Sequence, residues 1–378
     1  MDGAHLDNRV ARTAYKESDR QALCRAVAAL VAGMAERASV LDESLAFPVD
    51  DIAALHASGA MLAPFPESVG GLGLGTEPFG TEALSFVLRL LGQGNLAVGR
   101  LFEGHVNAVR LLARLGRPDQ LERAAMDAAS GHLIGLWVTD GGSASLEAAE
   151  DGALRGGKAF CSGAGHAGRA IVSILGPDGA SRLAYLATAR ADVRPLDGRM
   201  QGMRGARTAR VSFDGCRVQP EDWVGGPGQY LQEPDFSAGA WRTCAVTCGG
   251  LEALIDHAMA QLARRGRATD PHQLARMGHA WIARETASMW LARAAEAAEE
   301  PGYGSTEDRT ATVNFARIAI ERACLEAMTL VERSLGLSAF LHPDPIERIR
   351  RDLATYLRQP APDEALAEAA AFVLRGRG

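Results

Sequence analysis

The side chains able to do chemistry are scattered along this chain. Six cysteines, Cys24, Cys161, Cys216, Cys244, Cys248 and Cys324, form no CxxC pair. Cys244 and Cys248 stand four residues apart and share a face if their segment is helical. A metal site wants four cysteine or histidine ligands at close spacing, and none gather here, so the two read as small core residues. His105 lies in "FEGHVNAVRLL", a helical stretch. It is either a proton acceptor or a packed helix histidine. Glu364, in "PAPDEAL", is a candidate carboxylate, although an acidic first turn facing solvent also suits a helix macrodipole. Arg207 and Arg210 flank a β-type run and could meet phosphates, or simply edge a sheet.

The elements that must position these residues fall into three blocks. Residues 1–130 read as helical from about residue 20. Apolar residues recur there at three- and four-residue spacing in "QALCRAVAALVAGMAERASVLDESL" and "TEALSFVLRLLGQGNLAVGRLFEGHVNAVRLLARLG". "VDDIAALHASGAMLAPFP" predicts a short helix capped by Asp50 or Asp51, and "GGLGLG" a loop. Residues 131–232 carry short β-type runs such as "HLIGLWVTD", "RAIVSILG" and "ARVSFDGCRV". Gly, Asp and Pro separate them at about ten-residue intervals, the pattern of a compact antiparallel sheet domain. Residues 233–378 return to long helical periodicity. Segregated helical and β blocks predict an α+β fold.

The bulk composition bounds the partners. The chain has 378 residues, 47% of them hydrophobic, and a formal net charge of −6. A large core is available, and no basic face invites nucleic acid. No apolar run approaches a membrane span, and the N-terminus lacks the apolar core of a signal peptide. The cysteine pattern suits a reducing cytoplasm. Small molecules or other proteins are the expected partners.

Several stretches, in this order, resemble the acyl-CoA dehydrogenase family: "LHASGAMLAPFPESVGGLGLG", "GLWVTDGGSASL", "LRGGKAFCSGAGHA", "MRGARTARVSFDGCRVQPEDWVGGPGQ" and "IERIRRDLATY". The resemblance runs from about residue 25 to residue 360. It implies an N-terminal helical domain, a central antiparallel β-barrel-like domain and a C-terminal four-helix bundle. It also implies FAD between sheet and bundle, and a homodimer or homotetramer built by the bundles. Trp281, Met289, Trp290, Phe315 and Met328 fit core or interface faces of such a bundle.

The resemblance further implies which residues meet the flavin. Trp137, Val138 and Thr139 match the strand end that offers backbone and hydroxyl groups to the ring's polar edge. Ser143 or Ser145 stands for the serine of the following loop. Phe160 matches the aromatic that covers the ring, and Ser162 the hydroxyl that reaches it. Arg264 matches the arginine that clamps the dinucleotide, although the Phe-Gly after it is Arg267-Ala268. Arg333 replaces a glutamine, and Leu337 a glycine, at the other cofactor contact.

The family's reaction removes a proton next to a thioester carbonyl, which needs a carboxylate base. Nine residues after Arg351, where most members carry it, stands Pro360. The other known position falls at Ala240 or Trp241. The expected function is therefore FAD-dependent oxidation of an acyl thioester or related small molecule at a CH–CH bond, with the usual base missing. The alternatives are a flavin monooxygenase of the same fold, in which His105 would lie near the ring, and a non-catalytic oligomeric scaffold.

Overall fold

The structure, a computed structural model, describes residues 3–140, 145–358 and 360–376. Five helices come first: α1 (Gly3–Ser44), α2 (Val49–Ala57), α3 (Thr81–Gly94), α4 (Leu96–Leu115) and α5 (Pro118–Ala129). The Gly-Gln-Gly-Asn break separates α3 from α4. Asn95 turns extended there, and its side chain accepts the Ala97 N–H as the α4 cap. The caps expected for α2 are not used. Pro48 precedes its first turn, Asp50 and Asp51 lie inside that turn, and the buried Asp51 instead receives Arg37 from α1. A long-range ion pair has claimed the side chain that local sequence assigned to a cap.

The β region holds nine strands: β1 (Ile134–Trp137), β2 (Glu147–Ala148), β3 (Leu154–Arg155), β4 (Gly157–Cys161), β5 (Arg169–Leu175), β6 (Ser181–Ala187), β7 (Asp192–Arg194), β8 (Ala209–Ser212) and β9 (Trp223–Val224). They form a six-stranded sheet, β3-β2-β5-β6-β9 with β1 also on β5, and a three-stranded sheet, β4-β8-β7. The expectation of an antiparallel domain needs correction at two pairings. β1 and β2 both run parallel to β5, sharing one of its edges end to end, and two open sheets are seen. Parallel pairing needs a long crossover, and the excursion between residues 138 and 168 supplies one for β1. Short apolar runs do not report strand direction, so sequence could not distinguish these pairings.

The C-terminal region comprises the short α6 (Asp235–Ala238), the long α7 (Ala240–Arg264), α8 (Pro271–Glu299) and α9 (Thr306–Leu335), then α10 (Pro345–Tyr356) and α11 (Pro362–Leu374). Its core is continuous with that of the first helices: Leu88, Leu91, Val98 and Phe102 pack in one cluster with Trp241, Val246, Leu251 and Leu254. Trp137, Val172 and Phe213 centre a separate core inside the β region. Phe65, Val109, Ile134, Ile171 and Tyr185 join α4 and α5 to the sheet. Helix α4 therefore lies between sheet and bundle.

Candidate active site

A cavity of about 710 Å³ opens where α4, the end of β1, the segment before α7, α7 itself, α9 and α11 converge. One wall comes from a single face of α4. Arg100, Glu103, Asn107, Arg110 and Arg114 recur at three- and four-residue spacing, so they stack one above another, and all five line the cavity. Such a stripe reads in sequence as a solvated face. Here α7 packs on its middle, where Glu103 is only 1% exposed, while Arg114 at its end stays exposed.

A polar network fixes this wall, as buried charges require. Glu103 receives Arg100, Asn107 and the Thr243 hydroxyl (3.2 Å). Arg242, at the start of α7, donates to Asn107 and to Glu299 (2.8 Å). Glu299 also receives the Trp241 indole N–H at 2.8 Å and Arg110. Burial alone would raise the Glu299 carboxyl, but the Arg242 and Arg110 guanidiniums hold it below its ordinary value. Burial and the nearby Arg110 push the Arg242 guanidinium down to about 10, against the pull of Glu299 and Glu103, so it stays charged at neutral pH.

The base-free positions belong to the same cavity. Pro360 and Ala240 both line it, and the Pro360 carbonyl accepts a hydrogen bond from Arg317 of α9. Trp241 is fully buried behind the wall. Glu364 lines the cavity too, exposed in the first turn of α11.

His105 does not line it. The ring is fully buried, its Nε2–H donates to the Met61 carbonyl at 2.8 Å, and its Nδ1 accepts the Ile134 N–H at 3.2 Å. Burial drives its pKa down to about 4, opposed by the Met61 bond. It is a neutral brace between the helical region and β1, with both nitrogens engaged.

The flavin candidates divide in a similar way. Val138 is exposed at the cavity wall where β1 ends. Thr139 is exposed as well, its carbonyl accepts Ala159 N–H, and its hydroxyl has no hydrogen bond among the described residues. Trp137 turns inward, donating its indole N–H to the Ser162 carbonyl at 3.0 Å and lying beside Phe213. Phe160 is 58% exposed with φ +53°, at a register shift between Lys158 and Cys161. The bulge turns its ring outward while Ala159 and Cys161 stay in the core. Ser162 Oγ has only a 3.4 Å contact to the Thr208 hydroxyl. Ser145 Oγ donates to Asp140, which also holds the buried Lys158. Ser143 lies outside the described residues. The available Thr139 hydroxyl, the weakly held Ser162 hydroxyl and the outward Phe160 ring form a set that fits a flat heteroaromatic cofactor, and of these candidates only Val138 lines the cavity.

The remaining cofactor candidates are elsewhere. Arg264 and Arg333 are exposed at the C-terminal ends of α7 and α9, outside the cavity lining, with Leu337 exposed just beyond. Arg210 is held by both oxygens of Asp197 at 2.8 and 2.5 Å, and Arg207 donates to the Leu45 carbonyl. Cys244 and Cys248 are buried, and burial pushes the Cys244 thiol up to about 12. No metal-binding cluster occurs among the described residues.

With this geometry in place, comparison with known proteins is informative. Residues 17–132 match the acyl-CoA dehydrogenase N-terminal domain. Among solved structures, TdsC from Paenibacillus sp. A11-2 in complex with FMN and indole aligns with a TM-score of 0.81 at 20% identity, over 94% of this chain and 98% of that one. KijD3 in complex with dTDP aligns with a TM-score of 0.81 at 21% identity, over 94% and 97%. A glutaryl-coenzyme A dehydrogenase bound to glutaryl-CoA aligns with a TM-score of 0.83 at 19% identity, over 95% of each chain. A search of curated protein sequences finds no match. The chain thus carries an acyl-CoA dehydrogenase N-terminal domain, and its architecture throughout is the acyl-CoA dehydrogenase fold. Dehydrogenases and a monooxygenase share that fold, TdsC being a dibenzothiophene monooxygenase.

Proposed function

We propose that this protein is a flavin-dependent oxidoreductase that acts on a small polar molecule held in the 710 Å³ cavity. The observation that carries this reading is the cavity itself. It is not filled by side chains, it reaches the end of β1 at Val138, and its far wall is a preorganised polar network. A retired scaffold would have no need to keep buried charges in place around an open space. Structural neighbours with bound FMN support a flavin. Thr139, Ser145 and Ser162 would hold the ring's polar edge and Phe160 would cover a face. The group would supply redox chemistry that no side chain here can perform. FAD is the form implied by the sequence resemblance.

One observation favours the monooxygenase type over α,β-dehydrogenation. Neither Pro360 nor Ala240, the two positions at which the resemblance implies the base, can accept a proton, and the buried Glu103 is already engaged by three donors. The carboxylates of the lining left uncommitted among the described residues, Glu364 and Glu368, are exposed on α11. Oxygen activation does not call for a carboxylate beside an α-carbon.

The test is absorbance near ~450 nm after incubation with FAD or FMN and desalting, where a bound flavin absorbs. About one flavin per chain is expected, with less retained by a T139A/S162A variant. A colourless protein under both conditions overturns the reading. The reading also includes assembly. Trp281, Ile282 and Met289 expose apolar surface on α8, whereas Met328 is buried and Trp290 packs on the core. Light scattering coupled to gel filtration should give a dimer or tetramer, and a monomer would contradict it.

A further inference from the structure

Four arginines of the cavity lining each have a carboxylate partner: Arg100 with Glu103, Arg110 and Arg242 with Glu299, and Arg114 with Asp235. Arg317 does not. It is half-buried in the middle of α9, and among the described residues it makes one hydrogen bond, to the Pro360 carbonyl, and no ion pair. The acid nearest to it along the helix, Glu321, forms its ion pair with Arg358 and acts on Arg317 only through longer-range attraction. The neighbouring Cys244 thiol is neutral at ordinary pH, because burial pushes it up.

A second polar group, Asn314, lies on the same face. Asn314, one turn before Arg317, lines the cavity at 4% exposure, and its amide has no hydrogen bond to the described residues. A buried amide and a half-buried guanidinium that both line open space with donors to spare are uncommon, since such groups normally find partners inside the fold. Together they present planar N–H donors with one positive charge. That set matches a carboxylate, which a guanidinium can grip with two parallel bonds.

We propose that Arg317 and Asn314 form the subsite for a carboxylate of the substrate, beside Pro360, where the sequence resemblance implies a carboxylate base. The polarity of that position is inverted: a cation pins the Pro360 peptide, and the substrate brings the anion. The inference rests on the reading of this cavity as the substrate site. A single negative charge fits better than a phosphate dianion. Glu103, Glu233, Asp235, Glu321, Glu364 and Glu368 already line the cavity, and Arg317 is the one lining arginine with no carboxylate among the described residues. A second charge would meet repulsion with nothing to offset it.

Calorimetry with 1-naphthoate and its neutral counterpart 1-naphthamide tests the subsite directly, without turnover. The wild-type chain should bind the naphthoate at least tenfold more tightly. R317Q should erase that preference, and R317K should keep part of it through charge alone. R322Q, which removes a charge from the exposed side of the same helix, should keep it in full. N314D should erase it by giving Arg317 an internal partner, which provides a test even if R317Q does not fold. Failure of the wild type to bind naphthoate, equal binding of the two probes, or a preference that survives in R317Q or N314D overturns the proposal. Flavin retention measured on the same samples separates the two readings. Bound flavin without a naphthoate preference removes the subsite alone. A naphthoate preference without flavin removes the oxidoreductase alone.

Discussion

His105 and Arg317 show how differently a polar residue in this fold can be employed. His105 bridges the Met61 carbonyl and the Ile134 N–H as a neutral ring. Its pKa falls from an ordinary 6.5 to about 4, so between those values the unfolded chain binds more protons than the folded one. Its contribution to stability is therefore complete above pH ~6.5 and is lost as pH falls toward ~4, a total of about 3 kcal/mol. Urea unfolding of wild type and H105Q at pH 7 and pH 4.5 checks this. The gain in stability between the two pH values should be smaller in H105Q by about 2 kcal/mol. An unchanged pH increment would show that the ring is not the neutral brace described. Activity, by contrast, should depend on Arg317 and the α4 stripe, because those groups and not His105 line the cavity.

At the scale of elements, the site depends on how closely α7 approaches the first helices. Gly92 of α3 and Gly249 of α7 make that approach possible. A Cβ on Gly249 would stand 2.0 Å from the Arg89 carbonyl oxygen, and one on Gly92 would stand 2.1 Å from that of Val246. Both obstacles are backbone, which cannot move aside without separating the helices. The same pair is latched by Glu252 of α7, which receives Arg89 and, at 2.5 Å, Gln93. G249A should cost about 3 kcal/mol or more in chemical denaturation, at the upper end for overpacking. G104A on α4 is the contrasting case. Its Cβ would meet only Arg100 Nη1 at 3.8 Å, so it should leave stability unchanged or raise it by about 0.5–1 kcal/mol. Equal effects of the two substitutions would refute the close-approach account.

For the whole molecule, the Arg-Asp pair near the C-terminus ties the three regions together. Arg351 holds Asp42 of α1 at 2.6 Å, the Gln201 carbonyl of the β region at 2.7 Å and Glu347 of its own helix at 2.6 Å. Asp352 receives the Met203 N–H at 2.5 Å and Arg348 at 3.2 Å. All of these charged side chains are buried or nearly so, and removing one member leaves the others uncompensated. R351A should cost about 3–5 kcal/mol. It should also broaden the unfolding transition, as coupling between β region and helices weakens. A single sharp transition with wild-type stability, followed by both far-ultraviolet and tryptophan signals, would disprove the linking role.

The sequence by itself determined what is local. Periodicity gave the helices, and short β-type runs separated by Gly, Asp and Pro gave the strands, because these follow from residue type and spacing alone. It also made plain that Pro360 and Ala240 lack a proton acceptor, since identity at a position is what sequence states. The tertiary structure alone decided the parallel pairing of β1 and β2, because strand direction is set by which edges meet. It decided that Glu103 and Arg110 of the α4 stripe are buried, since a polar face looks alike whether water or α7 lies against it. And it decided that His105 is braced while Arg317 has no carboxylate partner among the described residues. Those contacts join residues 29 and 43 positions or more apart, a separation at which spacing carries no information about partners.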